Sequence, residues 1–247
     1  MAVRSISASV FIAALLFCSL ALADKDFQYF RFILTWPGSY CREDCRDGCC
    51  MPTTGDPAED FFVKGLYPYC ENKPVKGCNV TKFYVNPLGS MISELYEYWP
   101  SIDCPSNNGV KDWNSTWTTY GVCSGLDEKT YFRRALDLRN KINLLSLLKK
   151  NGIVPSYRGV YDLRTIQNVI AKGTGATVAI DCNKNKWGRS QISEINVCVD
   201  KNATNIIKCP FNVKCWCPPR VRFPPFTLDM LEDSSTELNP IMMAVSE

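Results

Sequence analysis

Fourteen cysteines occur in this 247-residue chain, and thirteen of them follow an apolar leader. The leader carries Arg4, an apolar run over residues 10–22 and the small-residue pattern Ala21-Leu22-Ala23. That order predicts a secretory signal peptide over residues 1–23, cleaved before Asp24. The rival is a membrane anchor, but the run is shorter than the roughly 20 residues a spanning helix needs. No later segment is apolar enough to span a bilayer, so no membrane contact is expected after cleavage. In an oxidising compartment cysteines are used chiefly as disulfides, each worth about 2–4 kcal/mol. Structural zinc is the rival use, at Cys45, Cys49 and Cys50 or at Cys215 and Cys217. The absence of any CxxC pair, and of any histidine, argues against it. An odd count leaves one thiol free or bonded to another molecule. A monomer is expected, with a disulfide dimer open to it through an extra cysteine.

Charge decides little. The net charge is +3, but Asp229, Glu232, Asp233, Glu237 and Glu247 all lie in the last stretch, which has no Lys or Arg. The body over residues 24–226 is therefore mildly basic. That can attract a polyanion, yet it lacks the dense basic stripe of a dedicated nucleic-acid binder. Three sequons, at Asn79, Asn114 and Asn202, suit a secreted glycoprotein.

Along the chain, residues 27–36 are dense in aromatic and β-favouring types and predict a buried strand ending at Pro37-Gly38. Residues 38–60 read as a stapled loop, 61–63 as a short strand and 69–86 as loop. Met91, Ile92, Leu95, Tyr98 and Trp99 recur at helical spacing until Pro100. Residues 131–150 give the clearest helix, stopped by Asn151-Gly152. Leu163, Ile166, Val169 and Ile170 mark another, ended by Gly173. Strands are predicted at 177–181, 191–199 and 205–208, with an edge strand at 221–223. The strand over 191–199 faces Ile192, Ile195, Val197 and Val199 inward only if a bulge intervenes near Glu194. Helices collected mid-chain between strands predict an α+β domain with a central antiparallel sheet. No internal repeat or interdomain linker is present. The division is leader 1–23, domain 24–226 and acidic tail 227–247. The tail reads either as a sorting propeptide or as a plain disordered end.

Many separated landmarks then appear in one order. They include Trp36-Pro37-Gly38-Ser39-Tyr40-Cys41, Cys49-Cys50, Gly65-Leu66-Tyr67-Pro68, Trp99-Pro100, Cys104-Pro105, and Trp117 with Gly121 and Cys123. Tyr131-Phe132, Ala135-Leu136-Asp137-Leu138, Ile195-Asn196-Val197-Cys198-Val199-Asp200, Cys209-Pro210 and Phe223-Pro224 follow. Over about residues 26–226 the chain resembles the RNase T2 family, in its plant S-like branch. The resemblance implies that family's fold and the disulfides Cys41–Cys49, Cys50–Cys104, Cys78–Cys123, Cys182–Cys217 and Cys198–Cys209. Cys45, Cys70 and Cys215 are then extra, and a Cys45–Cys70 bridge with Cys215 free is the expectation.

The family's two motifs, usually written HGLWP and HEWxKHG, imply histidines as general acid and base, with Glu and Lys stabilising a phosphorane-like transition state. The corresponding segments here are Lys64-Gly65-Leu66-Tyr67-Pro68 and Ser115-Thr116-Trp117-Thr118-Thr119-Tyr120-Gly121. Lys64, Ser115 and Tyr120 stand where the histidines are expected, Thr116 at the Glu and Thr119 at the Lys. Free lysine and tyrosine titrate near 10, so less than about one part in a thousand is deprotonated at pH 7. A general base must be partly unprotonated at working pH, and losing one costs on the order of 10²–10⁴ in rate. The expectation is therefore a protein without catalytic residues and not an enzyme, with a storage or stress-associated role in the extracellular space or vacuole of a plant. A carboxylate such as Glu59 or Asp60 is the one foreseen substitute base. Two other readings stay open. One is weak RNA or nucleotide binding through Lys64, Tyr67, Trp117 and Tyr120; the other is residual RNA cleavage. For Asn114 the alternatives are a glycan near the cleft mouth and a helix-cap asparagine. No cofactor or metal is implied.

Overall fold

A computed structural model describes residues 26–46, 48–210 and 216–232. The expected leader, Cys215 and residues 233–247 of the expected tail lie outside the described residues. Strand β1 (Tyr29–Thr35) is buried on both faces, which is why its sequence is a continuous apolar run rather than an alternating one. It pairs antiparallel with β3 (Phe62–Cys70) and β7 (Ser190–Val199). With β4 (Lys73–Pro74), β5 (Val160–Asp162), β6 (Ala179–Lys184) and β8 (Arg220–Arg222) they form a seven-stranded sheet of order β4-β3-β1-β7-β8-β5, β6 also pairing with β7. A separate parallel pair joins β2 (Cys49–Cys50) to β9 (Leu231–Glu232). The helices are α1 (Pro37–Tyr40), α2 (Ile92–Tyr98), α3 (Val110–Thr119), α4 (Glu128–Ile142), α5 (Leu144–Lys150) and α6 (Leu163–Thr174). The α+β expectation holds.

Several boundaries differ from the sequence reading. The strand expected at 61–63 continues to Cys70, because β1 pairs with it as far as Tyr29↔Tyr69. The helix expected over 131–150 is two helices, since Asn143 turns left-handed at φ 39° and Asn tolerates that conformation better than most residues. Helix α6 ends at Gly175, not Gly173; its N-terminus is capped by Asp162 accepting from the Thr165 N–H. Residues 205–208 make only an isolated bridge, Val199↔Ile206. The Asp200 carboxylate competes for that backbone, accepting from the Thr204 and Asn205 N–H groups at 2.8 and 3.1 Å. The segment expected at the sheet edge is β8, flanked by β7 and β5.

One packing centre fixes the start of the fold. The Trp36 ring lies 4.8 Å from Phe61 and 4.7 Å from Phe223, and its indole N–H donates to the Pro224 carbonyl at 2.7 Å. Gly38 sits so close beneath that a Cβ would lie 2.6 Å from the Trp36 nitrogen and 2.7 Å from two backbone oxygens. Five disulfides join Cys41 to Cys49, Cys50 to Cys104, Cys78 to Cys123, Cys182 to Cys217 and Cys198 to Cys209. The expected bridge between Cys45 and Cys70 does not form: Cys45 is exposed on the loop after α1, while Cys70 ends β3.

Candidate active site

Two β-bulges bring the central pair of side chains together. Along β1, Ile33 pairs with Gly65 and Leu34 with Val63, so Lys64 is the extra residue on β3. Along β6, Asp181 pairs with Glu194 and Cys182 with Ile192, so Ser193 is extra on β7. Glu194 itself lies beside Thr35. A bulge bends its strand and re-aims side chains. Here strands on either side of β1 each send a charged group over it, and the Lys64 ammonium donates to the Glu194 carboxylate. The two span 130 positions of sequence. Lys64 is exposed and Glu194 half-buried.

Helix α3 supplies the opposite wall. Trp113 and Trp117 are buried on one side of it, and Trp113 anchors the helix by donating from its indole to the Trp99 carbonyl at 2.8 Å. At 3.6 residues per turn, Asp112, Ser115, Thr116 and Thr119 share a different face, and Tyr120 follows as the C-cap. Asp112 and Thr116 line a cleft of about 230 Å³ together with Thr35, Phe62, Lys64 and Tyr40. Tyr120 packs on Tyr67, ring centroids 4.2 Å apart, and the Tyr67 hydroxyl donates to the Lys64 carbonyl at 3.2 Å. Burial pushes the Tyr67 phenol well above its ordinary range, and the neighbouring Tyr120 and Glu194 push it further. A phenol so placed stays protonated, so it can donate a hydrogen bond but does not serve as base.

At the cleft rim the Tyr40 hydroxyl donates to Asp103 at 2.5 Å. Arg46 pairs with the same carboxylate at 2.6 Å while lying over the Tyr40 ring at 3.7 Å. Burial and the Asp103 carboxylate both raise the Tyr40 phenol. The Cys50–Cys104 bridge holds this rim to the β2 segment.

Lys64 and Thr116 thus line one cleft, while Tyr67, which donates to the Lys64 carbonyl, and Tyr120, packed on Tyr67, stand beside Lys64 without lining it. Trp117 does not face it: its ring is 4% exposed and packs edge-on to Tyr131 at 5.6 Å. Gly121 makes room for that ring, since a Cβ there would fall 2.2 Å from it. Gly65 does the same for Tyr67. Asn114 is neither a cap nor at the cleft mouth. It lies mid-helix, exposed, about 200° around α3 from Asp112. Asn79 and Asn202 are also exposed.

The carboxylates expected as substitutes are elsewhere. Asp60 pairs with the buried Arg139 at 2.6 Å, and burial raises its carboxyl despite that partner. Glu59 lines a different pocket with Lys149 and Trp36. The residue missed by sequence reasoning is Glu194. The required bulge near it was its only signal. Among the described residues no group of three or more His, Cys, Asp or Glu could hold a metal ion, and no helix is long and apolar enough to cross a membrane.

Residues 27–209 match the family described as the Ribonuclease T2 family. Intracellular ribonuclease LX of Solanum lycopersicum is 38% identical over 84% of this chain and 88% of its own length. Ribonuclease 3 of Arabidopsis thaliana is 39% identical over 88% of this chain and 98% of its own length. A ribonuclease-like storage protein of Panax ginseng is 31% identical over 77% of this chain and 78% of its own length. Among solved structures, RNase NT in complex with 5′-AMP superposes with a TM-score of 0.77 at 42% identity, covering 81% of this chain and all of that one. These relatives overturn the expectation that the chain is not an enzyme: proteins 38–42% identical to it carry the names of ribonucleases, one with a nucleotide bound. The carboxylate that stands beside Lys64 is Glu194, not either of those foreseen.

Proposed function

Since the chain belongs to the ribonuclease T2 family, we propose that it acts on RNA in this cleft, with Lys64 and Glu194 as the groups that meet the ribose and its phosphate. The ion pair between them at the first motif segment carries the reading. A carboxylate is unprotonated through the neutral range and can take the proton of a ribose 2′-hydroxyl placed against it. The freed oxygen attacks the adjacent phosphorus, the bond from phosphorus to the 5′-oxygen breaks, and a cyclic phosphate forms. The Lys64 ammonium holds the phosphoryl charge and supplies the proton taken up by the departing 5′-oxygen. Proton return from Glu194 to Lys64 through water restores the pair. The Tyr120 hydroxyl is a donor toward a phosphate oxygen, and its ring, paired with that of Tyr67, offers a stacking surface.

A carboxylate is a weaker base than imidazole, so turnover is expected below that of histidine-based cleavage. The test is incubation of purified, refolded protein with RNA between pH 4 and 8, beside Glu194→Gln and Lys64→Ala. Cleavage by the unmodified protein that both substitutions abolish supports the reading. No cleavage, or cleavage indifferent to Glu194→Gln, overturns it.

A second reading concerns biological role. The ginseng relative's name supports a storage role, which fits the expected leader over 1–23, mature domain at 24–226 and acidic tail at 227–247. It predicts accumulation of the mature protein in vacuole or apoplast of storage tissue; retention in the cytosol would contradict it.

A further inference from the structure

The turn between β6 and β7 carries features that the cleft does not use. Trp187 is 67% exposed at its tip, in a run that reads Lys184-Asn185-Lys186-Trp187-Gly188-Arg189. Lys184, Lys186 and Arg189 are exposed as well, and the Lys186 ammonium lies over the indole at 4.9 Å. The tip is rigidly built. Asn185 is only 6% exposed, and its side-chain oxygen accepts from the Trp187 and Arg189 N–H groups at 3.1 and 3.0 Å. Its backbone N–H donates to the Arg189 carbonyl at 3.1 Å, and Gly188, at φ 70°, donates to the Asn185 carbonyl at 2.8 Å. A buried amide thus holds the backbone that carries an exposed indole, with one cation over the ring and two more in the same turn. The neighbouring loop bridges to it through Glu43↔Asn185 and carries Arg42 and Arg46 beside the acids Glu43 and Asp44.

Resting on the reading that the cleft acts on RNA, we infer that this hairpin tip is a second RNA contact. Trp187 stacks an unpaired base, while Lys184, Lys186 and Arg189 hold the flanking phosphates. Aromatic rings interleaved with cations bind single strands in this way, because every base offers a π-face and every linkage a charge. The cleft, at about 230 Å³, is smaller than the roughly 300–1,000 Å³ of ordinary ligand pockets. Most of a polymer must therefore lie outside it. Trp187 and Glu194 sit on the same hairpin, seven residues apart, which is at most about 23 Å at the rise of an extended strand. A dinucleotide in the cleft falls short of the tip; a strand of about ten nucleotides reaches it. A lipid surface fits less well, since the single indole has no apolar neighbour at the tip to enter a bilayer with it.

The experiment uses the full mature protein and labelled RNA with 2′-O-methyl riboses, which cannot be cleaved, and reads fluorescence anisotropy. Trp187→Ala is expected to weaken a strand of about ten nucleotides roughly tenfold and to leave dinucleotide binding unchanged. Replacing Lys184, Lys186 and Arg189 together by Ala is expected to flatten the slope of log affinity against log salt by about 2. Equal affinity of Trp187→Ala and the parent for the long strand overturns the inference. So does absence of binding by the parent. Loss of Trp187→Ala binding to phosphatidylglycerol vesicles with RNA binding intact also overturns it, and assigns the tip to membranes. The readout needs no cleavage, so a failure of this contact is told apart from a failure of the Lys64–Glu194 chemistry, which the cleavage assay reads.

Discussion

The two faces of helix α3 answer to different demands. Trp113 and Trp117 are buried, one donating to a neighbouring carbonyl and the other filling the space that Gly121 leaves. Ser115, Thr116 and Thr119, on the other face, are partly or fully exposed and bear no comparable packing load. Strand β3 shows the same division: Gly65, Leu66 and Pro68 are buried, while the bulged Lys64 is exposed and meets Glu194. Fold stability therefore rests on one face of each segment, and the candidate site on the other. Residue types facing the cleft can change without disturbing the scaffold, which is why a scaffold alone is a poor witness to activity.

That contrast can be broken by substitution. Trp113→Ala should cost about 3–5 kcal/mol in unfolding free energy by denaturant titration. A loss below 1 kcal/mol would show that the inner face carries less than its burial implies. Removing the Cys50–Cys104 bridge by double Ala substitution should cost about 2–4 kcal/mol and loosen the rim beside Asp103. Gly121→Ala drives a methyl into the Trp117 ring and should cost about 1–3 kcal/mol by the same titration. On the outer faces, Ser115→Ala and Thr119→Ala should stay within about 0.5 kcal/mol of the parent.

A smaller effect sharpens the comparison through pH. The hydrogen bonds from Arg133, at 2.7 and 3.1 Å, hold the Glu94 carboxyl below its ordinary value of 4.5. The carboxylate is thus favoured by folding, so its contribution is complete above the unfolded value and vanishes as pH falls through the lower folded one. Glu94→Gln should destabilise by about 0.2–1 kcal/mol at pH 7, and the gap to the parent should close as the pH is lowered into the acid range. A gap that persists at low pH would assign the effect to packing.

Much of this was legible in the sequence, for physical reasons. The buried β1, the Pro37-Gly38 turn that ends it and the core stripe of α4 all follow from local composition and spacing. Asn143 hid the break between α4 and α5, because apolar spacing continues across it while only the backbone turns. The Asp200 turn overrode strand-favouring Ile206 and Ile207 by hydrogen bonds that no periodicity reveals. At the candidate site, Lys64, Thr116 and Tyr120 could be named from their segments. Glu194 could not, because its meeting with Lys64 depends on two bulges on strands far apart in the chain. The broken alternation over residues 191–199 marked the bulge but not the partner it served.

The central claim is that a carboxylate and an ammonium, brought together across β1, perform the proton transfer. Its most direct measurement is the pH profile of the rate at which a single dinucleoside phosphate is cleaved by the parent and by Glu194→Gln, with folding of both verified. The account predicts a rate that rises as a carboxylate ionises and a variant slower by on the order of 10²–10⁴. Superimposable profiles would contradict it.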